Sequence, residues 1–150
     1  MARGDVTIFD EFQKDLGTEV HDLSSDTIKV ALVDSTITPA ADDATPRWAD
    51  YSANEVSGTN YVAGGKAVTT LTWGIVSGAC ELGGDDVGWT MHASGFTDAR
   101  WAIIYNDTAT NDEAIGFVDL GGVASLQLDD VDIEWNAGVI YRHTANAIAA

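Results

Sequence analysis

Three histidines, one cysteine and 24 carboxylates are the side chains through which this chain could hold a metal or catalyse a reaction. Spacing decides which of them can act together. His21, His92 and His143 lie far apart, and none has a second His, Cys or acid cluster at ligand spacing. A closed zinc site takes about four N or S donors, so no resident metal is expected. Cys80 cannot pair within the chain, and the adjacent Glu81 would raise its thiol pKa; it reads as a buried structural cysteine. No G-x-S-x-G elbow offers a nucleophilic serine, and no Walker loop or dinucleotide fingerprint offers a phosphate cradle. Gly64-Gly65 and Gly121-Gly122 read as turn glycines. Asp85-Asp86 and Asp129-Asp130 lie between apolar runs, as turn acids or calcium donors do. The stretch from Asp107 to Val118 fails as an EF-hand loop, with Asp112 at the glycine position and Val118 at the glutamate position. The expectation is no catalytic residue and no cofactor. Carboxylate pairs at glycosidase distance arise by chance in so acidic a chain, and a glycan hydrolase is the least favoured class.

Charge narrows the partners. Seven basic residues against 24 acidic ones give a net charge of −17. Such a field repels nucleic-acid phosphates and anionic membranes, so neither is an expected partner. It suits a basic partner, or a salty medium that screens the repulsion. A length of 150 residues with 45% hydrophobic content suits one globular domain, 1–150. No run approaches the ~18 apolar residues of a membrane span. Met1-Ala2-Arg3-Gly4-Asp5 has no secretory pattern, so synthesis in a cytoplasm is expected. The Asn106-Asp107-Thr108 sequon then has no meaning.

Two hydrophobic periods divide the chain. In residues 5–23, Ile8, Phe9, Phe12, Leu16 and Val20 form one apolar stripe, predicting a short helix capped by Asp5 or Thr7 and stopped at Gly17. It packs on this chain's own sheet or on a neighbouring subunit. From Thr27 to Val33 the period becomes two. Further strands are predicted over Ala67–Trp73, Val87–His92, Arg100–Tyr105, Ile115–Leu120, Ala124–Leu128, Val131–Trp135 and Val139–His143, separated by Gly, Asn and Asp turns. The fold class is mainly β: an antiparallel β-sandwich, jelly roll or small barrel with one short N-terminal α-helix. Residues 35–65 fit neither period. They carry both prolines with Trp48, Tyr51 and Tyr61, and read as a long loop or arm. Either short strands such as Glu55-Val56 and Tyr61-Val62 hide there, or the arm orders against a partner. Trp73, Trp89, Trp101 and Trp135 fall at core-compatible strand positions, although a lectin-like surface would also use tryptophan.

The order of these pieces is similar to a known group. A short amphipathic helix precedes DTIKVALVDST (26–36) and NEVSGTNYVAGGKAV (54–68), then ARWAIIYNDTATNDEAIGFVDLGG (99–122) and DIEWNAGVI (132–140). This resembles small virion structural proteins of tailed bacteriophages. Glu55 to Thr59 with Tyr61 and Gly64-Gly65, and Ile104 to Thr108 with Ile115-Gly116, carry most of the likeness. The resemblance implies a non-enzymatic β-rich protein present in many copies. The leading expectation is a capsid decoration (cement) protein on the outer capsid surface of the virion, bridging subunits of the major capsid protein and associating with copies of itself. A head-fibre or tail-associated protein binding host surface glycans is the alternative. Phe9, Phe12, Trp48, Tyr51 and Tyr61 are the expected partner-interface residues.

Overall fold

Ile28-Lys29-Val30-Ala31-Leu32-Val33 forms a strand, β2 (Ile28–Val33), in which only Lys29 is not buried. A strand apolar on both faces needs cover on both sides. The computed structural model, which describes residues 5–145, provides that cover by two different means.

β2 lies in a five-stranded antiparallel sheet with β1 (Val6–Ile8), β3 (Lys66–Ala67), β7 (Ala99–Asn106) and β8 (Ala114–Ala124), in the order β1-β8-β7-β2-β3. Alternation sends Val30, Leu32, Ala102 and Ile104 into the main core and Ala31, Val33, Ile103 and Tyr105 to the opposite face. Two irregularities re-aim β8. Ile104 pairs with Gly116 and Tyr105 with Ala114, so Ile115 is an extra residue and joins the main core. Further along, Ala99 pairs with Ala124 but Trp101 with Asp119. The bulge between them is turned by Gly121 at φ +76°, whose N–H donates to Asp119 Oδ1 at 2.7 Å. Gly121-Gly122 is therefore a kink inside one strand, and not the expected turn between two.

The main core is closed by a second layer. β4 (Thr72–Val76), β5 (Ala79–Gly83) and β10 (Val139–His143) form a three-stranded sheet, and β6 (Val87–Trp89) pairs with β9 (Val131–Ile133). The β6–β9 pair prolongs the β5–β10 pair past a bend. At the bend Gly84 N–H donates to Gly138 O, and Trp135 donates its backbone N–H to Asp86 Oδ1 and its indole N–H to Asp85 O. Leu82, Val87, Trp89, Val131, Ile133 and Ile140 face the first sheet across this core. The arrangement is mainly β, antiparallel and sandwich-like, within the expected fold class.

The helix is shorter than expected. α1 spans Asp10–Gly17, ending at the predicted Gly17. Val6-Thr7-Ile8 is a strand, because its alternating apolar residues find Val118, Phe117 and Gly116 on β8. Phe9, and neither Asp5 nor Thr7, stands at the helix start. The Ala67–Trp73 expectation splits into β3 and β4. Ser77 and Gly78, at φ +50° and +81°, make the two-residue hairpin turn from β4 to β5. The sequence reading placed no strand at Ala79–Gly83.

The second face of the large sheet is covered by the segment 35–65. It holds a second short helix, α2 (Trp48–Tyr51), and a 3₁₀ turn at Ser52–Asn54. Glu55 bridges to Val33, Arg47 to Glu113, and Val56 N–H donates to Leu32 O. The segment is a strap bound to its own sheet.

Candidate interaction surface

The strap fixes the fate of the expected interface residues. Tyr51 and Tyr61 are buried, and so are Phe9 and Phe12. Trp48 is half-buried and stacks on Tyr105 with ring centres 5.1 Å apart. Tyr61 lies between Trp89 and Phe96, accepts from Leu32 N–H at 2.9 Å and donates to Glu55 Oε1 at 2.7 Å. Glu55 Oε1 also accepts from Gly64 N–H, while Tyr105 donates to Gly64 O at 2.7 Å. Tyr51 donates to Asp43 Oδ2 and stacks on Phe9. Phe12 packs against His21 and Tyr141. Burial and the neighbouring carboxylates push the Tyr51 and Tyr61 phenols well above their ordinary pKa, so both stay protonated donors. The assignment of Phe9, Phe12, Tyr51 and Tyr61 to a partner is corrected, since all four are buried within this chain, whereas Trp48 keeps part of its surface accessible. Phe12 and Tyr61 fill the main core, while Phe9, Tyr51 and Trp48 cover the second face of the large sheet; intramolecular burial of this kind costs no association entropy.

The potential chemistry resolves into structural contacts. His21, buried, sits beside Asn106. Asn106 Oδ1 accepts from Thr108 and Ala109 N–H, so its Nδ2 donates to Asp26 Oδ2 at 2.7 Å and to His21 Nδ1 at 3.0 Å. His21 therefore carries its proton on Nε2, 4.0 Å from Asp15 Oδ2 and without a hydrogen-bond partner among the described residues. Burial lowers the His21 pKa, opposed by Glu113 and Asp26; burial, helped by Glu11, raises that of Asp15. Asp85 accepts from the Thr70 and Thr69 hydroxyls, which lower its pKa. Asp86 holds Trp135, and Asp130 Oδ1 accepts from Met91 N–H at 2.7 Å. Cys80 is half-buried, more accessible than expected. Among the described residues no group of three His, Cys, Asp or Glu is placed to hold a metal.

A different surface stands out once charge is mapped on the fold. The end of β6, the start of β7, the end of β8 and the start of β9 meet at one end of the molecule. Their loops are cross-linked. His92 N–H donates to Leu126 O, Leu126 N–H to Phe96 O, and Gln127 Nε2 to Gly95 O. The strap joins them where Thr59 N–H donates to Ser94 O and Asn60 Nδ2 to Thr90 O. Gly58 is required here, because a Cβ would stand 2.5 Å from Phe96 N. The three segments that build this end, 56–65, 87–97 and 120–128, contain no Asp, Glu, Lys or Arg. They expose Val62, Met91, Val123 and Leu128, each more than half accessible. Asp98, Arg100, Asp119, Asp129 and Asp130 flank these runs, with Asp130 holding Met91 N–H and Asp119 holding Gly121 N–H, so apolar residues with charges at their margin give this end the composition of an interface centre and rim. Sequence reasoning missed these residues by weighing aromatics. The legible signal was the three charge-free runs.

Comparison with protein families, curated proteins and solved structures finds no match to this chain.

Proposed function

We propose that this chain is a non-enzymatic virion structural protein, a capsid decoration (cement) protein that sits on the outer capsid surface and bridges subunits of the major capsid protein. The observation that supports the reading is the end that exposes Val62, Met91, Val123 and Leu128 on three segments without Asp, Glu, Lys or Arg. A decoration protein needs one such docking surface on a body that does not deform. The strap, the doubly covered sheet and the bent second layer supply the rigid body. The remaining acidic surface suits an exterior coat, soluble at high copy number. A glycan-binding fibre or tail protein would present aromatic rings outward; here Trp89 and Trp135 are buried, and Trp48, Trp73 and Trp101 are half-buried.

The test uses purified heads lacking this protein. Wild-type chain added to them should bind the exterior, and cryo-EM should place the Val62–Leu128 end against the capsid. Burying one leucine contributes about 1.5–3 kcal/mol, so Leu128→Asp should weaken binding at least about tenfold. Its melting temperature should stay near wild type, because Leu128 is exposed. Wild-type occupancy by Leu128→Asp, or no density on the capsid exterior, overturns the proposal.

A further inference from the structure

β4 is an edge strand, hydrogen-bonded to β5 on one side only. Among the described residues none of 72–76 makes a backbone hydrogen bond outside that ladder. Natural edges are blunted by lysine, proline or bulges. This one reads Thr72-Trp73-Gly74-Ile75-Val76 and has none of them. Ile75 is 72% and Val76 52% exposed. The edge also lies within residues 67–80, the longest stretch of the chain without Asp, Glu, Lys or Arg. Its hairpin tip, Ser77-Gly78, is at the start of β5, far from the docking end at the finish of β6.

We infer that β4 is a dimerisation edge, pairing antiparallel with β4 of a second copy across a two-fold axis at Gly74. The occupant follows from charge. Two chains of net charge −17 meet most readily where carboxylates are fewest, and this strand lies in the longest uncharged run of the sequence. The nearest charge on the ladder is Glu81, opposite Gly74 and paired with Arg142 at 3.0 Å. In the dimer the two Glu81 positions would be three strand spacings apart, about 14 Å. That exceeds the Debye length of about 8 Å at physiological salt. Glu19 and Asp22, which share a groove with Trp73, add to the residual repulsion.

The register follows from self-complementarity. With Gly74 on the axis, Trp73 faces Ile75 of the second copy and Thr72 faces its Val76. Aromatic–β-branched and β-branched pairs of this kind stabilise sheets. Gly74 keeps the centre open, with no atom within 4 Å of a Cβ built there. The product is one continuous six-stranded sheet, β10-β5-β4 from each copy.

The inference concerns the free chain and stands apart from the capsid reading. Sedimentation equilibrium of the full chain at rising concentration should show a monomer–dimer equilibrium. Association should strengthen as monovalent salt rises; association that weakens with salt would mean a contact between opposite charges and overturn the assignment. Ile75→Lys and Val76→Lys should each shift the midpoint to at least about tenfold higher concentration, with unchanged melting temperature at low concentration. A Gly74→Cys variant in a Cys80→Ala background should oxidise to a covalent dimer, because the two copies of position 74 meet on the axis with Cα atoms about 4.5–5.5 Å apart, within disulfide reach. A chain that stays monomeric, a dimer insensitive to Ile75→Lys, or a Gly74→Cys variant that forms no cross-link overturns it.

Discussion

Tyr61 shows how one side chain can join two parts of a fold. Its hydroxyl receives Leu32 N–H from the central sheet and gives its proton to Glu55 of the strap. Tyr61→Phe removes both bonds and strands a buried N–H, which costs about 1–3 kcal/mol. Urea denaturation should show that loss, with exposed Val62→Ala near wild type as the control. Trp48→Ala should likewise lower the stability of the free chain, since its stacking partner Tyr105 is its own. His21 gives a pH dependence. Its folded pKa is lowered by burial, with Asp15, Asp26 and Glu113 as the neighbouring carboxylates. The unfolded chain takes up that proton at about pH 6.5, the folded chain only at lower pH. Between those values the unfolded state binds more protons, so stability rises with pH. Melting temperature should climb as pH rises toward the unfolded value of about 6.5, and His21→Gln should flatten the climb. Asp15, whose folded pKa is raised, acts oppositely in a more acid window above its unfolded value of about 3.9.

At the scale of elements the strap is the part most dependent on one backbone position. Gly65 has φ +76°, and a Cβ there would lie 1.9 Å from Val30 O. Gly65→Ala should therefore detach the strap's end from β2, and circular dichroism with thermal melting should show a large loss of stability or no folded state. Much of the β pattern was legible: Val139–His143 has the predicted bounds, and β7 extends the predicted Arg100–Tyr105 by one residue at each end. Three-residue β1 was not, because strands that short carry too little period to compete with the adjoining helical stripe. β5 was hidden for another reason, since Ser77-Gly78 is a hairpin turn only when both residues take positive φ. For 35–65 the sequence left two readings open, a segment folded on its own sheet or an arm for a partner, because its length and polarity were weighed without β2. A continuous apolar run from Ile28 to Val33 already demands a second cover for the sheet, and the only aromatic-bearing irregular segment beside it is 35–65. The proposed docking end was illegible from any one segment; it exists because strand order brings the uncharged runs 56–65, 87–97 and 120–128 together.

For the whole molecule, charge governs stability and assembly alike. With net charge −17, raising monovalent salt from about 10 to 150 mM shortens the Debye length from about 30 to 8 Å and should raise the melting temperature of the free chain. A flat curve would mean that local pairs such as Lys29–Asp107 and Arg142–Glu81 already neutralise the repulsion. A docking surface at one end and a self-pairing edge toward the other would let each copy tie two points of a lattice together. Strand order has a consequence of another kind, for the time at which this structure can first exist. β1 pairs with residues 116–118, and β2 with residues 101–106 along one edge, so β1 and that edge of β2 have no sheet partner until β7 and β8 are made, although β3 and Glu55 can already meet the other edge of β2. At translation rates of about 5–20 residues per second, β2 waits roughly 4–15 s for β7. Throughout that interval Ile28 to Val33 keeps one edge unpaired and its apolar faces incompletely covered on a nascent chain, so it is during synthesis, and not once folded, that this protein is most exposed to aggregation.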